Sequence, residues 1–93
     1  MQPLTPRIAL YMDLDISEGL IVVEVEKQSS AERSGIKNGD IITTVNDFVV
    51  KTTNEFRSII EESDLRQGDK IKIQLYRNGR YIKKKLILGK GGR

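Results

Sequence analysis

The sequence predicts a mainly β domain with two to three short helices, folded as a partly open antiparallel barrel or sandwich. Three observations carry this. "DKIKIQLYR" and "RYIKKKLIL" alternate apolar and polar residues on either side of Asn78-Gly79, the pattern of a β-hairpin on a tight turn. "GLIVVEVE" and "DIITTVN" are β-branched runs bounded by glycine and Asx residues. The stretches with helical spacing are short, and each opens on a Ser or Thr cap.

Taken in order, "LTPRIALYMDL" reads as a helix, with Thr5 as N-cap and Pro6 at the first helical position. "GLIVVEVE" reads as a strand from residue 19 to 26. "SSAERSG" is one helical turn, capped by Ser29 or Ser30 and stopped by Gly35 in a left-handed conformation. Ile36 then drops into the core. Gly39 makes a second turn, and Asp40 is placed to accept backbone N–H groups at the entrance to the next strand. "DIITTVN" is that strand, and Asn46-Asp47 turns the chain into a short strand, "FVV". "TTNEFRSIIEES" is the main helix, capped by Thr52 or Thr53, with Glu55 in its first turn and Phe56, Ile59 and Ile60 on one face. In the hairpin, Ile71, Ile73 and Leu75 point inward, whereas Lys70, Lys72, Gln74 and Tyr76 point outward. Residues 1–88 form a single domain, and 89–93, "GKGGR", have the composition of a flexible tail or linker.

Composition narrows the function. With 93 residues the chain holds one modest core, which must be aliphatic because there is no Trp and only 5% of residues are aromatic. There is no histidine, so a Ser-His-Asp enzyme cannot be assembled from this chain alone. Ser29, Ser30 and Ser34 lack a neighbouring base and read as caps; no catalytic residue, cofactor or metal site is expected. No cysteine is present for disulfides or thiolate sites, and no stretch is apolar enough for membrane insertion. The net charge of +3 is a weak hint of acidic partners.

The stretch "SSAERSGIKNGDIITTVND" resembles the signature S-x-A-x-x-A-G-[LI]-x-x-G-D-x-I-x-x-[VI]-[ND] of PDZ domains. "GLIVVEVEKQ" before it and "VKTTNEFRSII…GDKIKIQLYRNGR" after it extend the resemblance over nearly the whole chain. The variety most resembled is that of the HtrA/Deg-like serine proteases, in which a short helix also precedes the first long strand. Ser34 stands where Ala is usual, and Asp47 where Gly commonly follows Asn.

The resemblance implies a non-catalytic, peptide-binding module that takes up hydrophobic C-termini or extended segments by β-strand addition, for a parent that works outside the cytoplasm. Its partners would be peptides or unfolded-protein C-termini and the parent's protease domain, with the isolated domain a monomer. Thr52, Phe56, Arg57 and Ile60 would line one wall of the groove, with Met1, Leu4 and Ile8 near the other. Phe56 and Ile60 read first as core residues and second as ligand contacts. In this family a Φ-G-Φ loop of backbone N–H groups receives the ligand carboxylate. Two registers are open: just upstream of Pro3-Leu4, or at Arg7–Leu10 with "LYMDLD" as the binding strand. Other parents with this fold are site-2-type zinc metalloproteases and carboxy-terminal processing proteases.

A reading of another class is a small basic nucleic-acid-binding barrel, drawing on Arg77, Arg80, Lys83, Lys84 and Lys85. Against it, Lys84 lies on the opposite face from Lys83 and Lys85, so the run is not one stripe. Solvated lysines guarding an edge strand explain it, and no nucleic-acid partner is expected. Asp13, Asp15, Glu18, Glu24 and Glu26 lack the spacing of a Ca²⁺ loop.

Overall fold

In the computed structural model, residues 1–62 and 70–87 are described; the tail expected at 89–93 lies outside them. The elements run β1 (Gln2–Pro3), α1 (Pro6–Tyr11), β2 (Leu20–Ile21), α2 (Ser30–Arg33), β3 (Ile41–Val45), β4 (Phe48–Val49), α3 (Thr53–Glu62), β5 (Lys70–Arg77) and β6 (Arg80–Ile87). All described pairings are antiparallel. They form one open sheet in the order β1-β2-β3-β5-β6, with β4 paired to β3 off this path.

Local chemistry sets most boundaries. Thr5 Oγ1 accepts the Ile8 amide at 3.1 Å and caps α1. The Arg7–Leu10 stretch is therefore helical, which removes it as a candidate carboxylate loop and "LYMDLD" as a strand. Ser29 caps α2 by accepting from the Glu32 amide, and Thr52 and Glu55 form a reciprocal capping box at the start of α3. Asn46-Asp47 and Asn78-Gly79 all take positive φ, closing two-residue hairpins at Val45↔Phe48 and Arg77↔Arg80. Asp47, at φ 71°, holds a conformation that glycine adopts without strain.

One strand is shorter than its β-branched run suggests. β2 is paired at Leu20–Ile21, and Val22 then exchanges hydrogen bonds with Gly39 and Asp40, where the β3 segment turns away. Val23–Glu26 are therefore not strand: the run has the right residues but loses its neighbour. Gly19, at the start of β2, is fixed by crowding. A Cβ there would come within 2.7 Å of Ile41 Cγ2 and 2.8 Å of the Ile42 carbonyl.

The sheet buries residues on both faces. On one, Leu20, Val22, Ile36, Ile42, Val45, Val50, Ile71, Ile73 and Leu75 form the main core, against which Phe56, Ile59 and Ile60 of α3 pack. On the other, Leu4, Ala9, Ile21, Ile41 and Tyr76 form a second cluster under α1. Tyr76, expected to point outward to solvent, does leave the main core but is buried beneath this cluster. Burial, then the Asp15 carboxylate and Tyr81, push its phenol above the ordinary value. Lys70 and Lys72 are exposed as expected, and Gln74 is half-buried.

Asp40 ties the start of β3 to the end of β5. It accepts the Lys37 amide as the sequence suggests, and it also receives Arg77 in a two-pronged ion pair at 2.7 and 2.6 Å. The same guanidinium donates to the Gly35 carbonyl at 2.8 Å, tying the end of α2 to β5. Asp40 is 2% exposed, and Arg77 is its ionic partner. Replacing Arg77 with Met should cost about 3 kcal/mol, because it leaves a buried carboxylate unpaired. Urea denaturation checks this, and Asp40→Asn added to the Arg77→Met background should restore part of the loss.

Candidate functional site

The site follows from the one-sided pairing of β1. Gln2 pairs with Ile21 and Pro3 with Leu20, and Leu4 N–H donates to the Gly19 carbonyl at 2.8 Å. No described strand lies on the other side of β1, so that margin of the sheet is open. Side chains alternate across the sheet. Because Leu4 belongs to the second cluster, Met1 and Pro3 project from the opposite face, the one that α3 covers.

The expected site residues separate accordingly. Thr52 and Arg57 are exposed at the start and on the outer side of α3, and Phe56 and Ile60 are half-buried against the main core. Each packs partly inward against the main core and is partly exposed. Met1 lies on the α3 face and is 45% exposed. Leu4 and Ile8 go elsewhere. Leu4 is buried in the second cluster and Ile8 packs against it, so they support β1 and α1 from behind rather than facing α3. Leu4 continues the alternation of the strand it follows, which the helical spacing of "LTPRIAL" obscured.

Chemistry elsewhere on the surface is of another kind. A cleft of about 620 Å³ is lined by Asp13, Asp15, Lys37, Asp40, Tyr76 and Arg77, among others. Its strongest charges, Asp40 and Arg77, are spent on each other. Among the described residues no cluster of acidic side chains could hold a metal ion, and no helix is long and apolar enough to cross a membrane.

The hairpin carries a basic surface that reading β6 alone missed. Lys84 is half-buried while Lys83 and Lys85 are exposed, in line with alternation. But β5 brings Lys72 directly opposite Lys85, with Gln74 opposite Lys83, so lysines from two strands share one face. Asp47, 3.3 Å from Lys72, offsets part of this charge. The signal was available in the hairpin register, once Asn78-Gly79 is placed at the turn.

The described strands form one open antiparallel sheet with a short helix on one face and α3 on the other. A sequence profile of the PDZ domain family matches residues 4–88, and the chain belongs to that family. It is 35% identical over 80 residues to a probable periplasmic serine endoprotease DegP-like of Rhizobium meliloti, covering 86% of this chain and 16% of that protein. It is 31% identical over 77 residues to the zinc metalloprotease RasP of Oceanobacillus iheyensis, covering 77% of this chain and 18% of that protein. A solved structure of the HtrA-type protease AlgW with a decapeptide superposes with a TM-score of 0.77 at 30% identity, over 95% of this chain and 26% of that one. The chain thus spans about a sixth of the length of the curated relatives it matches.

Lysines facing each other across strands repel by a few tenths to about 1 kcal/mol. Lys85→Glu should therefore raise the urea midpoint, with a gain that shrinks as salt is added. A gain independent of salt would show that packing, not charge, is responsible.

Proposed function

We propose that this domain binds extended hydrophobic peptide segments, including protein C-termini, by adding them as a strand to the outer margin of β1 beside α3. The observation that carries the reading is the outer side of β1, which pairs with no described strand of a sheet whose main-core face α3 packs on. Main-chain hydrogen bonds along that margin would supply affinity, and alternate side chains of the peptide would meet Met1, Phe56 and Ile60. Thr52 and Arg57, exposed on α3, would flank the peptide. The decapeptide held by the HtrA-type protease structure supports peptides as the ligand class.

In this reading the domain recruits substrate or regulates activity for a larger HtrA/Deg-like serine protease acting outside the cytoplasm, as the periplasmic relatives suggest. It is itself non-catalytic. The similarity to a zinc metalloprotease supports a second parent class for the same module. An H-E-x-x-H motif in an apolar span elsewhere in the parent would mark that class, and G-N-S-G-G would mark the first.

Burying one apolar ligand side chain contributes about 1.5–3 kcal/mol, so affinity should be about micromolar or weaker, near −8 kcal/mol. Titrating the domain with peptides ending in Val, Leu or Phe, as free acids and as amides, tests the reading. Binding should be saturable, and Phe56→Ala, checked for folding by circular dichroism, should weaken it by about tenfold or more. Preference for the free acid would show carboxylate capture; equal binding of acid and amide would show capture of an internal strand. Absence of binding to every peptide at millimolar concentration would overturn the proposal.

A further inference from the structure

Resting on that reading, we infer that Pro3 is a stop in the docking margin: it ends the hydrogen-bond ladder a bound peptide can form and so limits how much of the peptide is read through its backbone. The argument is one of parity. In an antiparallel pair, successive residues turn both backbone groups alternately toward and away from the partner strand. Leu4 N–H points at Gly19 in front of β2, so Gln2, two residues earlier, also faces β2 and pairs with Ile21. Pro3 and Met1 therefore face the free margin. Pro3 presents a carbonyl there but has no N–H to accompany it.

A peptide residue opposite Pro3 can donate its own N–H to the Pro3 carbonyl. Its carbonyl finds no donor in return and must stay hydrated. Beyond this point the chain leaves the sheet: Thr5 caps α1, its carbonyl is taken by the Ala9 amide, and Pro6 supplies no donor either. The margin thus offers an acceptor without a donor at Pro3 and a donor without an acceptor at Thr5, so no residue past Met1 on that side can bond a peptide residue in both directions. An antiparallel peptide meets this stop at its N-terminal side, so residues added there gain little. Proline also holds the preceding Gln2 in extended conformations, which keeps β1 ready as a strand while blunting its edge against pairing with other chains.

The test uses the intact chain, Pro3→Ala and, as a control whose amide faces β2, Gln2→Ala. Both side chains are exposed, so neither change removes a buried contact. The probes are synthetic peptides of four, six and eight residues ending in Trp-Val, lengthened with alanine at the N-terminus. Affinity for the intact chain and for Gln2→Ala should level off along the series. Pro3→Ala should bind the longer peptides more tightly by roughly 2- to 12-fold, the worth of one backbone hydrogen bond. In hydrogen exchange, the amide that Pro3→Ala introduces should be unprotected in the free domain and become protected when peptide is added. Identical length dependence in Pro3→Ala and the intact chain, with peptides bound, would overturn the stop and leave strand addition standing. Protection of that introduced amide without peptide, or no binding by any of the three proteins, would overturn both.

Discussion

A backbone that has hydrogen-bonding groups with no partner in its own fold is the constraint on which this domain's use depends. Polar main-chain groups in folded proteins are almost all satisfied, by the chain itself or by water. Here the inner side of β1 is satisfied by β2, while no described strand pairs with its outer side. Such a margin is a hazard on most sheets, because any extended chain can pair with it. In the proposed mode that margin is put to use beside a face that is continuous with the main core through Leu20.

Holding that margin in place requires rigidity behind it. The second cluster supplies this from one side, with Leu4, Ala9, Ile21 and Tyr76 packing α1 onto the back of the sheet. The buried Asp40–Arg77 pair supplies it from the other, linking the α2 end, the β3 entrance and the β5–β6 hairpin through a single guanidinium. In the proposed mode neither turns a side chain toward the ligand. The division is between residues that fix the sheet and residues that remain half-free along α3.

Much of this was legible in the chain. Capping residues placed α1, α2 and α3, and the Asx-containing turns placed both hairpins, because these signals act within a few residues of one another. The PDZ resemblance rested on the same local signals around Gly35 and Gly39-Asp40. What escaped was non-local. The end of β2 depends on where β3 turns away, not on its own β-branched run. The Arg77 partner of Asp40 lies 37 residues away, and the shared lysine face needs two strands in register. Leu4 and Ile8 reach the groove only through the PDZ resemblance, and the structure instead packs Leu4 in the second cluster and Ile8 against it.

The most direct test of the central claim is amide chemical-shift mapping of the isotopically labelled domain as a hydrophobic peptide is added. The expected result is a set of perturbed amides confined to Gln2, Leu4, Thr5, the start of β2 and Thr52–Ile60. Perturbations centred instead on Lys72, Lys83 and Lys85, or on the cleft around Asp13 and Asp15, would place the ligand elsewhere and contradict docking at β1.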